Sequence, residues 1–379
     1  MPNVLIFADS ARSPELRHEV PLMVPDPFLY FEQNGRRGAV ISAMEADRIA
    51  KVAPHLELIP PERFGIDEIA RTVKSPAEAA LQLVVRACRE LGITDASVPA
   101  SFPLEVADTL RAAGIEVTPQ RELFDERRRS KNDVELEGIR RAQRSCDEAM
   151  GVAATMLRSA EPGDGGLVLG GKPLTSERIK LAIEEVFSRH GCAGDEMIVS
   201  HGEQSAVGHD MGTGQIRPDE SIVIDIFPRD RESGCYADMT RSFVVGTPPE
   251  EIAEFHRLCK EALDRCTEAV KPGVTGRELM EIACAIFDAA GQTTPLNKKE
   301  GEVMQSGFYH SLGHGVGLEV HEEPSLGRMP GNELVPGDVI TIEPGLYHHG
   351  FGGVRLEDLI LVTEDGYENL TKYPYDLAP

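Results

Sequence analysis

The chain has 379 residues, 41% of them apolar, and a formal net charge of -24; this is ample hydrocarbon for two cores and too long a chain for a typical single one. The negative balance argues against nucleic acid or an anionic membrane as a partner, because a phosphate-lined surface would repel it rather than release counterions to it. No apolar stretch is long enough to span a bilayer, MPNVLIFADSARSPELR lacks the basic lead and long apolar run of a signal peptide, and the seven cysteines are scattered without a disulfide framework, so a reducing cytoplasm is the expected compartment.

From Met1 to about Arg127, short apolar runs (Val4 to Phe7, Phe28 to Phe31, Gly38 to Ile41) alternate with amphipathic stretches, the pattern of an α/β domain. AEAALQLVVRACREL (77–91) has apolar residues at helical spacing and is followed by Gly92 as a C-cap, and residues 103–113 repeat the pattern before Gly114. No ligand cluster or phosphate loop occurs in this part, so its expected role is architectural. FDERRRSKNDVELEGIRRAQRSCDEAM (124–150) raises the charge density and opens a long helix near Asn132, with acidic residues early in it where the macrodipole favours them. The expected domains are therefore 1–130 and 131–379. PGDGGLVLGGKP (162–173) lacks the GK[ST] ending of a phosphate cradle and reads as a flexible connection, followed by a helix from Thr175 to His190. Strand-like runs come next (MIVSHG, SIVIDIF, YADMTRSFVV), then helices from Glu250 to Val270 and from Thr275 to Ala290, with Pro272 and Gly273 stopping the first. Strand pairs carrying carboxylates, with helices between them, suggest an internal repeat.

Three segments place ionisable side chains among residues that strands normally bury: SIVIDIFPRDRESGCYADMTRSFVV (221–245), YHSLGHGVGLEVHE (309–322) and TIEPGLYHHGFGGVRLED (341–358). Such groups are costly to bury unless they are paired or bind a metal. Asp225 and Asp238 lie thirteen positions apart around a Pro228-to-Gly234 turn, which predicts an antiparallel hairpin with the carboxylates facing each other. Glu343 and Glu357 bracket HHGFGG (348–353) as a second hairpin, and His314 sits between glycines where the backbone can approach a ligand closely. His348 and His349 read as loop residues. Four carboxylates in one dry pocket would repel one another unless something positive sits among them, and two divalent cations would balance them. Oxygen-rich ligation with one imidazole favours manganese, cobalt, iron or zinc over a thiolate-bound structural zinc.

These motifs resemble those of the pita-bread-fold metallopeptidases, in the branch of Xaa-Pro aminopeptidases, prolidases and creatinases, over essentially the whole chain and most strongly from about residue 130. The resemblance implies a creatinase-type α/β N-terminal domain followed by an α+β pita-bread domain. It also implies five ligands to a binuclear metal centre: Asp225 in VIDIF, Asp238 in YADMTRSF, His314 in GHGVG, Glu343 in TIEPG and Glu357 in VRLED. Supporting residues carried over in the same way are His209 in VGHDMG, His310 in YHSLGH, His321 in EVHE and Arg355. The chain departs from the family pattern in three places. The Asp225-to-Asp238 interval is two residues longer than usual, AVGHDMGTG is not the commonest form, and Pro324-Ser325 stands where prolidases often carry a carboxylate-binding arginine, leaving Arg328 as a candidate.

By the same resemblance Asp225 would hold one metal, most often manganese, His314 and Glu343 the other, and Asp238 and Glu357 both. A water would attack the scissile carbonyl while Glu343 takes and returns its proton. His321 would hydrogen-bond the developing oxyanion, His310 would act on the leaving-group side, and Arg355 would fix the Glu357 carboxylate from the same strand face. The implied activity is hydrolysis of the bond before proline in a peptide, by a homodimer. The rivals are a metal-dependent lyase or creatinase-like hydrolase on a small substrate, and a non-catalytic peptide-binding module.

Overall fold

The computed structural model describes residues 2–379. These divide into two compact units, one of residues 2–128 with Glu232–Gly234 and one of Arg129–Arg231 with Cys235–Pro379.

The first unit is built on a six-stranded mixed sheet of β1 (Val4–Ala8), β2 (Phe28–Gln33), β3 (Arg36–Val40), β4 (Glu57–Ile59), β5 (Asp95–Val98) and β6 (Glu116–Pro119), in the order β4-β3-β2-β1-β5-β6. β1, β2 and β3 pair antiparallel, and the outer strands join in parallel. Successive side chains of a strand point to opposite faces. Here Leu5, Leu29, Phe31 and Val40 enter one core while Val4, Ile6, Phe28, Tyr30 and Ala39 enter another. Both faces are covered, which is why these strands read as unbroken apolar runs. The helix Pro76–Leu91 that packs on the sheet is capped by Ser75, whose side chain accepts from the Glu78 amide, and ends at Gly92 in the left-handed region.

The second unit has α+β architecture, as expected. Its first helix, α1 (Asp133–Arg158), opens with a reciprocal capping box between Asn132 and Glu135. The glycine-rich segment after it is not a flexible connection. Its residues form a small three-stranded meander, Glu161–Gly163 with Gly166–Leu169 with Lys172–Pro173, whose tight turns use the glycines. α2 (Ser176–Arg189) then packs with α1 over a core that includes β7 (Met197–His201), β8 (Ser221–Ile226) and β9 (Met239–Val244), an antiparallel sheet in the order β7-β8-β9. α3 (Glu250–Ala269) and α4 (Gly276–Ala289), the latter with a Thr275/Glu278 capping box, cover a second core. After β10 (Gly313–Gly315), side chains of β11 (Glu322–Leu326), β12 (Val339–Ile342), β13 (Gly345–His348), β14 (Gly352–Arg355) and β15 (Asp358–Val362) enter this core, and β16 (Tyr367–Asn369) follows. Five of these make a sheet in the order β11-β10-β12-β15-β16, while β13 and β14 form a hairpin in a separate one. The two helix pairs, α1 with α2 and α3 with α4, each pack over a core of their own.

Candidate metal centre

Asp225 lies near the end of β8, a strand with every residue buried, and its register partner on β9 is Thr240. Asp238 immediately precedes β9. It therefore falls on the same face as Thr240, diagonal to Asp225 rather than directly across from it. The connection is more than a turn, because Arg229–Asp230 leaves the ladder to pair with Cys192–Ala193. There the Arg141 guanidinium holds the Asp230 carboxylate at 3.1 and 2.9 Å. The long interval between the two aspartates is built into the sheet edge.

Glu343 and Glu357 do not bracket one simple hairpin. β12 pairs with β15 up to Ile342 opposite Asp358, whereas β13 pairs with β14 from Gly345 opposite Arg355. Both glutamates thus stand where a long two-stranded ribbon passes from one sheet to the other. Their amides anchor the corner: Glu343 donates to the Leu312 carbonyl at 2.7 Å and Glu357 to the Thr240 carbonyl at 3.1 Å. The glycines flanking His314 serve neighbouring strands rather than a ligand. A Cβ at Gly313 would stand 2.1 Å from the Thr341 oxygen and one at Gly315 2.3 Å from that of Glu323.

The imidazole of His314 places Nδ1 3.2 Å from the Gly315 carbonyl, and Nε2 3.5 Å from Glu343 Oε1 and 3.8 Å from Asp238 Oδ2. Atoms of Asp238, His314 and Glu357 lie within 4.8 Å of one another. Asp238 and Glu357 are almost fully buried. Burial first, then crowding by the other carboxylates, drives both well above the usual carboxylate range. Burial likewise pushes Glu343 up to about 8, and it holds His314 down to about 3, with His321 adding to the effect. Buried oxygens Asp225 Oδ1 and Asp238 Oδ1 have no hydrogen-bond partner. Crowded carboxylates, an unprotonated imidazole with an inward nitrogen and two orphaned oxygens are the donor set that divalent cations satisfy.

Arg355 is not on Glu357 directly. Its Nη2 donates to Asp225 Oδ2 at 2.6 Å, its Nε to Thr240 Oγ1 at 3.3 Å and its Nη1 to Tyr347 Oη at 2.9 Å. Thr240 Oγ1 in turn donates to Glu357 Oε2 at 2.7 Å, so Arg355 reaches that carboxylate through the hydroxyl. Tyr347 Oη lies 2.9 Å from His310 Nε2, and the other ring nitrogen of His310 is 2.7 Å from the Ser311 carbonyl. With Nδ1 donating to that carbonyl, Nε2 accepts from the phenol. Both nitrogens of His310 are thus engaged. His321 packs edge-on against His314, with ring centroids 4.2 Å apart. His209 is exposed, on the loop that follows Gly202–Ala206. That loop is pinned by Tyr309, whose Oη donates to the Ala206 carbonyl and accepts from the Gly208 amide. His348 is apart from the cluster, exposed and 2.9 Å from Glu251. Arg328 is exposed beyond the end of β11, in which Pro324 is buried.

Two buried residues of this network, Thr240 and Tyr347, were not singled out in the sequence. Thr240 carried a usable signal, since it lies two residues after Asp238 and so on its face of the strand. The Tyr347 ring lies in a slot between two glycines. A Cβ at Gly345 would meet its Oη at 2.4 Å, and one at Gly353 would meet its ring at 2.4 Å.

Residues 137–364, more than half of the chain, match Metallopeptidase family M24. The Xaa-Pro dipeptidase of Pyrococcus furiosus is 39% identical over 183 residues, covering 48% of this chain and 49% of that one. That of Lactobacillus helveticus is 37% identical over 187 residues, covering 48% and 46%. The matched region thus spans about half the length of these curated relatives. Among solved structures, the prolidase from Pyrococcus horikoshii OT3 superposes with a TM-score of 0.76 at 25% identity, covering 100% of this chain and 95% of that one. The X-Pro aminopeptidase from Thermotoga maritima MSB8, with a TM-score of 0.77 at 22% identity and coverage of 99% and 97%, shows the likeness of fold. The chain belongs to metallopeptidase family M24 and has its pita-bread fold.

Proposed function

We propose that this chain is a metal-dependent peptidase that hydrolyses the bond preceding proline. The observation that carries the reading is the convergence of Asp238, His314, Glu343 and Glu357, with Asp225 held alongside, in a pocket that burial makes intolerant of uncompensated negative charge. The relatives named Xaa-Pro dipeptidase support the substrate class. Asp225, Asp238, His314, Glu343 and Glu357 would hold two divalent cations, manganese first, with cobalt, zinc or iron as alternatives. When bound, these supply Lewis acidity at the scissile carbonyl and make water nucleophilic at neutral pH.

The remaining work falls to the protein. Glu343, at the edge of the cluster, takes the proton of the attacking water and returns it to the leaving nitrogen. His321 donates a hydrogen bond to the oxygen that gains charge in the transition state, with exposed His209 on the substrate side. His310 acts by holding the Tyr347 phenol, because its nitrogens are already committed. Arg355 orients Asp225 directly and Glu357 through Thr240.

In this reading residues 131–379 form the catalytic domain and 1–130 an architectural one, in a cytoplasmic homodimer acting on proline-containing peptides. With Pro324-Ser325 in place of a carboxylate-binding arginine, a free C-terminus directly after proline gains little, so substrates extend to tripeptides at least. The test is a hydrolysis panel of Ala-Pro, Ala-Pro-Ala and Ala-Ala-Ala after adding manganese or cobalt to metal-free protein. Cleavage of both proline peptides and not of Ala-Ala-Ala is expected. Cleavage of Ala-Pro alone refutes the extension, and inactivity toward all three moves the protein to the lyase or small-substrate alternatives.

A further inference from the structure

The proposed ligands come from two sheets that share no ladder: Asp225 and Asp238 from the β7-β8-β9 sheet, and His314, Glu343 and Glu357 from β10 and the ribbon beyond it. Relative movement of the two sheets would therefore pull the ligand set apart. Behind the carboxylates, at the seam between β9 and β15, lies Arg241, whose side chain is 1% exposed. All five of its N–H groups are used. Nε donates to the Pro374 carbonyl at 2.9 Å, and Nη1 to the carbonyls of Thr240 at 2.8 Å and Glu357 at 2.7 Å. Nη2 donates to Asp358 Oδ1 at 2.9 Å and to the Tyr373 carbonyl at 2.8 Å. Across the seam the guanidinium thus grips the main chain of a proposed ligand, Glu357, together with that of Thr240, which orients the same carboxylate. The segment after β16 closes over it. The Tyr375 ring stacks on the guanidinium at 4.4 Å, and its hydroxyl donates to Asp358 Oδ2 at 2.6 Å.

We propose that Arg241, clamped by Tyr373–Tyr375, is a positioning residue that sets the spacing of the two ligand-bearing sheets and so preorganises the metal centre. Only a planar fork with five donors can bind three strand groups and two carbonyls of the covering segment at once; a lysine ammonium has three donors and no fixed plane. The neighbouring strands also supply apolar side chains to two cores that a change at Arg241 leaves intact. Loss of the clamp is therefore read in metal binding more than in folding. This inference rests on the metal-centre reading above.

The test is calorimetric titration of metal-free protein with cobalt(II), together with the visible absorption of the loaded protein, for wild type, Arg241→Lys, Tyr375→Leu and the stability control Leu263→Ala in the core of α3. Outer partners of metal ligands typically contribute about 10–100-fold in affinity. Arg241→Lys is expected to weaken cobalt binding at least tenfold and to change the band pattern. Tyr375→Leu, on the partly exposed side, moves in the same direction by several fold should Arg241→Lys fail to fold. Leu263→Ala is expected to lower the melting temperature and leave affinity within threefold. Arg241→Lys or, where that variant does not fold, Tyr375→Leu with wild-type affinity and spectrum overturns the proposal, as does a loss no larger than that of Leu263→Ala. Wild-type protein that takes up no cobalt removes the metal-centre reading itself, a result distinguishable from the first two.

Discussion

Metal uptake by this protein should release protons, in an amount fixed by the burial of the ligand set. In the metal-free fold Glu343 rises from an ordinary 4.5 to about 8, and Asp238 and Glu357 also stand well above the carboxylate range. At pH 7 a group of pKa 8 is about nine-tenths protonated, so filling the site displaces about one proton from Glu343, and the raised Asp238 and Glu357 act in the same direction. Apparent metal affinity should then rise about tenfold or more per pH unit between roughly pH 5 and 8, and the Glu343 contribution should level off above that. Stability of the metal-free fold has the opposite slope. The folded form holds a proton that the unfolded chain gives up near 4.5. Glu343 therefore contributes stability that is complete below that pH and declines by about 1.4 kcal/mol per unit until its folded value of about 8 is passed, and the raised Asp238 and Glu357 act in the same direction. Calorimetry in two buffers of different ionisation enthalpy at pH 7 gives the proton count directly, and urea unfolding from pH 5 to 9 gives the slope. Metal uptake with no net proton release at pH 7, or metal-free stability that climbs from pH 7 to 8, above the range in which the depressed His314 gives the opposite slope, would refute this account.

Asp238→Asn and Glu357→Gln should each lose at least one metal while keeping the fold, since an amide brings no charge to two cations; elemental analysis finding two metals per chain in both variants would sink the ligand assignment. His321→Ala should retain both metals and lose on the order of a hundredfold in turnover, the size typical of removing an oxyanion donor. Wild-type turnover would make His321 structural. In the first unit, Arg127 bonds Glu19 at 2.9 Å and Glu32 at 2.9 and 3.0 Å, beside the Tyr30 phenol. Arg127→Met leaves two buried carboxylates short of a cation and should destabilise by about 3 kcal/mol in urea titrations; a change under about 1 kcal/mol would show that Arg37, 3.3 Å from Glu32 and 3.8 Å from Glu19, suffices.

The sequence by itself determined what kind of residue stands at each chemical position. Asp225, Asp238, His314, Glu343 and Glu357 stand out because carboxylates and an imidazole interrupt runs of Val, Ile and Leu, and that contrast is local. The long helices were legible for the same reason, through periodicity and capping residues such as Asn132 and Thr275. Partnership was not legible. A strand's two-residue period says which face a side chain takes and nothing about which strand lies opposite it. Arg355 therefore reads as the neighbour of Glu357, two positions away, whereas in the fold it pairs with Asp225, 130 residues distant in sequence. The glycines around His314 and Tyr347 read as backbone freedom, yet their use is to admit another strand's carbonyl or a tyrosine ring. Only the tertiary structure decided that Glu343 and Glu357 stand at a crossing between sheets. Only there does Arg241 meet carbonyls more than a hundred residues away, because donors and acceptors so far apart are brought within 3 Å by packing and not by any local pattern.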